Sequence, residues 1–215
     1  MKKDPYILAV ASHKGGTGRT TSVLALSWCW GQMGLSVTLV DADPVRASSL
    51  VALDQSGRCH WPNVRVSRTL PNLRSPQTSD IIIVDCPSLL DPLAMPILEQ
   101  SHGVIVTCLA DPLSLRTVPA AASAISTARV NNPQLELLGI LIGIYDNHDA
   151  VQTAMLARLR QLHGELLLEP PIPVQPELRD WPLSPGTGVP AGIALDAYQS
   201  IARTLESWIR LGLGV

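Results

Sequence analysis

The sequence predicts a doubly wound α/β fold, a mostly parallel sheet flanked by helices. Two observations carry this. Short apolar runs rich in Val, Ile and Leu alternate with longer stretches of helical character, the signature of repeated strand–helix–strand units. The apolar runs are continuous rather than alternating, as expected for strands covered on both faces.

The elements follow in order. Residues 6–12 form the first strand, and residues 20–33 the first helix, with Gly34 placed for a left-handed cap. Further strands are expected at 35–40, 81–84, 104–109 and 137–144, and further helices at 92–100, 113–130 and 150–163. Two stretches rich in Pro, Ser and Arg, 55–79 and 169–190, read as surface loops. Sheet elements resume after the first and a helix after the second, so residues 1–215 are expected to form one domain. Near the end, Ile201, Leu205, Trp208 and Ile209 keep the spacing of an amphipathic helix.

Composition narrows the function classes. Hydrophobic residues make up 46% of the 215 and charged residues 16%, which excludes a disordered polyampholyte. A chain of this length buries roughly 70% of its unfolded surface without a disulfide or metal staple. Phe is absent, so Leu, Ile, Val, Ala and five Trp fill the core. A net charge of −2 argues against a surface that is basic all over. The four cysteines are widely spaced and contain no C-x-x-C pair, which suggests reduced thiols in a cytosolic setting. Lys2 and Lys3 precede only a six-residue apolar run, too short for an export signal. No apolar stretch approaches the ~18 residues of a membrane span. A cytoplasmic protein is expected.

The chemistry-bearing segment follows the first strand: Ser12-His13-Lys14-Gly15-Gly16-Thr17-Gly18-Arg19-Thr20-Thr21. Its three glycines let the backbone curl and aim successive N–H groups at one centre, where the first helix also presents its positive dipole end. This is a cradle for phosphate. Thr20 stands where G-x-x-x-x-G-K-[ST] places the hydroxyl that meets Mg²⁺. That general pattern is not met in full, because its first Gly falls on His13 and its Lys on Arg19.

The segment resembles instead the deviant Walker A box of the ParA/MinD family of ATPases, K-G-G-x-G-[K]-[ST], with Arg19 at the bracketed Lys. Asp41-Ala42-Asp43-Pro44 is similar to the family's D-x-D-P switch, and Ile81–Pro87 to its Walker B strand. The resemblance continues through 139–146 and the Pro171-Ile172-Pro173 and Gly188-Val189-Pro190 segments, spanning nearly the whole chain in order. It implies a P-loop nucleotide-binding domain that takes ATP and Mg²⁺. Lys14 would reach the phosphates of a second copy across a sandwich dimer, and residues 14–21 would hold the nucleotide: Lys14, Gly15, Gly16, Thr17, Gly18, Arg19, Thr20 and Thr21. Asp41 would position the attacking water, with Asp43 beside it. Thr20 would hold Mg²⁺, with Asp85 opposite it holding the ion through water, and Asp146 and Pro173 would edge the base pocket. From the residues alone, Lys14 also fits a solvated loop lysine, and Asp41 or Asp85 a helix cap.

Arg19 departs from the family pattern. A lysine there is a compact point charge, whereas arginine is larger, planar and forked. Nucleotide binding is expected to survive and hydrolysis to be slow or lost, because phosphoryl transfer depends on closely placed charge. Residues 144–148 lack the N-K-x-D of GTP readers, which points to adenine.

The resemblance thus implies an ATP-dependent dimerising switch that binds DNA without sequence preference and positions or segregates a cargo: a plasmid, a chromosome region or a protein organelle. A partner protein would stimulate release. Arg158, Arg160, Arg179, Arg203 and Arg210 supply candidate phosphate contacts. Alternatives are a MinD-like regulator that meets membrane through its last helix, a nucleotide-bound dimer with little hydrolysis, and a metabolic ligase of the biotin or cobyrinate pathways. Packing of the last helix on the sheet is favoured over membrane binding because its polar face is not strongly basic. Cys86 next to Asp85 also brings iron–sulfur reductases to mind, but nothing marks a second ligand beyond Cys108.

Overall fold

The structure is a computed structural model that describes residues 4–70 and 78–212. Lys2 and Lys3, part of the 55–79 loop, and the last residues of the chain lie outside the described residues. Seven strands form one wholly parallel sheet: β1 (Tyr6–Ala11), β2 (Val37–Asp41), β3 (Val64–Ser67), β4 (Ile81–Asp85), β5 (Gly103–Leu109), β6 (Glu136–Gly143) and β7 (Leu167–Leu168). Their spatial order is β3-β2-β4-β1-β5-β6-β7. The helices are α1 (Arg19–Gln32), α2 (Ala47–Ala52), α3 (Ala94–Leu98), α4 (Ser114–Ala128), α5 (Ala150–His163), α6 (Pro176–Asp180) and α7 (Ile193–Gly212).

Burial explains the continuous apolar runs. Along β1, Tyr6, Leu8 and Val10 face the core beneath α1 and α7, while Ile7, Ala9 and Ala11 face the core beneath α3 and α4. A parallel sheet covered on both faces has no polar side to alternate with. A third cluster joins Ile140 and Ile142 of β6 to Leu156 and Leu159 of α5.

The helix expected near residues 201–209 begins earlier, at Ile193, and its apolar stripe is spent inside the molecule. Tyr198, Ile201, Leu205 and Ile209 are buried in the core shared with α1. Trp30 of α1 donates its Nε1 hydrogen to the Ala202 carbonyl at 3.0 Å, and the Tyr198 and Ser22 hydroxyls meet at 3.1 Å. Trp28 packs edge-on against Trp61, which stacks on Trp181, so it belongs to a core aromatic cluster.

Two expectations are corrected. The 55–79 loop contains β3, and 169–190 contains α6. Only the first residue of β3 is buried, as suits an edge strand, so it carries no long apolar run. α6 is a five-residue helix opened by Pro176 at its first turn.

This topology positions the site. β1 lies at the middle of the sheet, and the chain runs from it to β2 on one side before β5 continues on the other. The crevice beyond the carboxyl ends at such a reversal is where open α/β sheets bind ligands.

Candidate functional site

Every loop that leaves this carboxyl edge brings a charged residue. The β1–α1 loop carries Lys14, Asp41 and Asp85 are the last residues of β2 and β4, and Asp111 follows β5. Parallel pairing sets Asp41 opposite Asp85, so both side chains leave the same face.

The β1–α1 loop forms an open cradle. Gly16 and Gly18 take positive φ values of 75° and 82°, and Gly18 stands directly before α1. A β-carbon on Gly15 or Gly16 would meet nothing within 4 Å, so that side of the loop faces free space. At Gly143 the opposite holds: a β-carbon would come within 2.5 Å of the Thr17 carbonyl oxygen, so only glycine lets the end of β6 pass this close to the loop. A cavity of 280 Å³ over the loop is lined by Ser12, Gly15–Thr21 and Ile144. It shares Gly18, Thr21 and Ile144 with a second cavity of 350 Å³, walled by Ile172, Pro173, Val174, Leu178 and Tyr198. A polar cradle at a helix start thus adjoins an apolar slot, the two environments that phosphates and a flat heteroaromatic base require.

Ile144 joins the two cavities at φ 53°, a left-handed conformation that β-branched residues rarely adopt. Just beyond it Tyr145 bridges to Pro173, and the Tyr145 amide donates to the Ile172 carbonyl at 2.8 Å. These bonds hold the wall of the apolar slot beside the loop.

Arg19, the first residue of α1, does not project into the open cradle alone. Its Nε donates to Asp85 at 3.0 Å, its Nη1 to the Ser12 hydroxyl at 3.1 Å, and its Nη2 to Asp43. Asp85 is fully buried, and the Ser48 hydroxyl donates to its other oxygen. Burial pushes the Asp85 carboxyl above the usual carboxylate range, against the opposing pull of Ser48, Arg19 and Thr20. Asp43 also accepts from the Val45 amide at 2.8 Å.

Lys14 donates to Asp111 at 2.6 Å, within its own chain. Asp111 in turn accepts from the Ser114 amide and hydroxyl, both at 2.8 Å. Burial raises the Asp111 carboxyl, but the Lys14 and Ser114 contacts outweigh it and hold the group below its ordinary value.

The remaining expected residues sit less centrally. Asp41 is fully buried, with one oxygen accepting from the Ser49 amide at 2.8 Å inside α2 and the other without a partner. It faces α2 rather than lining the loop cavity. The Thr17 hydroxyl turns to Thr107 of β5 at 2.8 Å. Pro173 lines the apolar slot, whereas Asp146 accepts from the His148 amide at 2.9 Å in the turn after Tyr145. The five arginines expected to meet phosphate lie exposed on α5, α6 and α7, and three are ion-paired: Arg160 to Glu169, Arg179 to Asp180 and Arg210 to Glu206.

Sequence reasoning missed Ser48 and Asp111. Asp111 carried a usable signal, since it follows an apolar strand just as Asp41 and Asp85 end theirs. Ser48 had none, because α2 was not anticipated.

The fit of a divalent cation can be judged from these bonds. Thr20 and Asp85 were the expected holders. Each Asp85 oxygen already accepts one hydrogen bond, from Arg19 or from Ser48, so a metal that touched the carboxylate directly would share an oxygen with one of them beside the Arg19 charge. Among the described residues, no helix is long and apolar enough to cross a membrane.

Comparison with known proteins accords with this geometry. The chain is 27% identical over 209 residues to the chromosome-partitioning ATPase Soj of Thermus thermophilus, covering 81% of this chain and 84% of that protein. It is 29% identical over 173 residues to the maintenance of carboxysome distribution protein A of Halothiobacillus neapolitanus, covering 73% and 74% of the two. The fold is that of the cobyrinic acid a,c-diamide synthase of Mycobacterium smegmatis, solved with ADP and magnesium, at a TM-score of 0.72, 24% identity and coverage of 97% and 96%. The model of the CobQ/CobB/MinD/ParA nucleotide-binding domain matches residues 8–185, and this chain therefore belongs to that family.

Proposed function

We propose that this chain is a ParA-like switch that closes into a dimer around two molecules of ATP. The observation that carries the reading is the pair of adjoining cavities at the start of α1, a glycine cradle suited to phosphates beside an apolar slot suited to adenine. Residues Gly15–Thr21 hold the phosphates through backbone amides and the α1 dipole. Lys14 leaves Asp111 to reach the partner's phosphates, which makes dimer formation depend on nucleotide. Asp43 belongs to a switch segment that senses the phosphates through Arg19. Asp41 acts through α2, whose start it anchors, and it orders the attacking water only if α2 moves on nucleotide binding.

The similarity to Soj and to the carboxysome distribution protein supports a positioning role, with the nucleotide-bound dimer retained on nucleoid DNA and released by an adaptor protein. DNA contact through exposed arginines is electrostatic and weakens with salt. A membrane-bound, MinD-like role is less well supported, because the apolar face of α7 is already buried against α1. A specific observation favours little hydrolysis: Arg19 is committed to Asp43 and Asp85 rather than free to follow a transferring phosphoryl group.

The test is retention on immobilised non-specific DNA with ATP, with ADP and without nucleotide, beside co-sedimentation with anionic vesicles. Retention that needs ATP and falls with salt is the expected result. ATP-dependent vesicle binding without DNA retention supports the membrane-bound role instead, and ATP-independent behaviour on both surfaces removes the switch.

A further inference from the structure

The guanidinium of Arg19 stands between two carboxylates at the mouth of the phosphate cradle. Its Nε donates to the fully buried Asp85 at 3.0 Å, its Nη2 donates to Asp43, and its Nη1 donates to Ser12 at 3.1 Å. A guanidinium carries five N–H donors and keeps its charge at any working pH. Three donors are used here, which leaves one N–H on each terminal nitrogen. Arg19 also lines the loop cavity together with the glycines of the cradle. One fixed cation therefore touches two carboxylates, Asp85 and Asp43, and the space that phosphates enter. In nucleotide-hydrolysing P-loop proteins a magnesium ion joins phosphate oxygens to such an aspartate.

We propose that Arg19 takes the place of that divalent cation, so that this chain binds nucleoside triphosphate without Mg²⁺. The inference rests on the nucleotide-binding reading above and concerns what neutralises the phosphates within it. Arginine suits this better than lysine, because its planar fork spreads fixed donors over acceptors on different sides, whereas an ammonium offers its three donors from one point on a flexible stem. The arrangement also resists a metal. To coordinate Asp85 directly, an ion must share an oxygen with Arg19 or the Ser48 hydroxyl and sit beside the guanidinium charge, which repels a second cation. The guanidinium holds nucleotide with one charge in a fixed place, a geometry suited to a persistent bound state rather than to rapid turnover.

The experiment measures the dissociation constant of a fluorescent ATP analogue for the full-length wild type and for Arg19→Lys, each in excess MgCl₂ and in excess EDTA. The wild type is expected to bind within about threefold under both conditions, and Arg19→Lys to weaken by about tenfold or more in EDTA. A second readout uses the wild type alone: electron paramagnetic resonance of Mn²⁺ added with the nucleotide. Mn²⁺ held no more tightly than by free ATP is expected. A wild type that loses about tenfold in EDTA, or that immobilises one Mn²⁺ per bound nucleotide, overturns the inference while leaving the nucleotide site intact. Absence of binding by the wild type under both conditions overturns the nucleotide reading and this inference together.

Discussion

Arg19 and Asp85 lie 66 positions apart in sequence, and their side chains meet at 3.0 Å across the carboxyl edge of the sheet. The carboxylate is fully buried and the arginine side chain is only 13% exposed. Water screens such a contact weakly, so each partner leaves an expensive charge behind if the other is removed. The pair joins the start of α1 to the end of β4.

Arg19→Ala is therefore expected to cost about 3 kcal/mol or more in unfolding free energy, measured by denaturant titration. The companion change Asp85→Asn removes the stranded charge. Combined with Arg19→Ala, it should recover part of that loss, a positive coupling that two unrelated surface sites would not show.

Arg19→Lys makes a different prediction. A lysine offers its donors from one point rather than from a fork, so it does not reproduce the separate contacts to Asp43, Asp85 and Ser12, and its flexible stem lets the charge follow the phosphates. Phosphate release should rise by about tenfold or more over the wild type, as expected when one stabilising charge is better placed. An unchanged or lower rate would show that Arg19 does not slow turnover.

The Lys14–Asp111 contact holds the lysine within its own chain. Asp111→Asn keeps an acceptor for Ser114 while removing the charge that retains Lys14. A partly exposed ion pair contributes up to about 1 kcal/mol. The variant should therefore dimerise at an ATP concentration up to about fivefold lower, read by analytical ultracentrifugation across a nucleotide series.

The same pair gives a pH dependence with a definite sign. Asp111 in the folded chain lies below its ordinary value of 3.8, so the folded state binds its proton less readily than the unfolded chain. Its contribution is fully present above that ordinary value and is lost as the pH falls below it. The stability difference between wild type and Asp111→Asn should shrink as pH falls from about 5 to about 3, followed by urea unfolding. Asp85 has the opposite sign. Its raised value makes its contribution decline as pH rises above the ordinary carboxylate value, and it is common to both proteins in this comparison.

Much of the fold was legible because periodicity and burial coincide. Residues 6–11, 81–85 and 103–109 are apolar on both faces and became central strands. β3 was not legible, since Val-Arg-Val-Ser at a sheet edge buries only its first residue. The open turn of the β1–α1 loop could be read because glycines at 15, 16 and 18 have local consequences for the backbone. The partners of Lys14 and Arg19 could not, because they are set by how strands order in space: Asp111 is 97 residues from Lys14, and Asp43 is 24 from Arg19. Arg19 was seen as a departure from pattern, but its seat between two carboxylates required β2 and β4 to lie side by side. Asp41 shows the same gap, for its oxygen anchors α2, a helix that no run of residues announced.

The proposed switch depends most on ATP drawing two copies together through Lys14. Light scattering of the purified chain with saturating non-hydrolysable ATP analogue measures this directly. The prediction is a rise from 23.1 kDa to twice that mass for the wild type, with Lys14→Ala remaining monomeric while still binding the analogue. A wild type that stays at the monomer mass with analogue bound, or a Lys14→Ala variant that doubles just as readily, would contradict it.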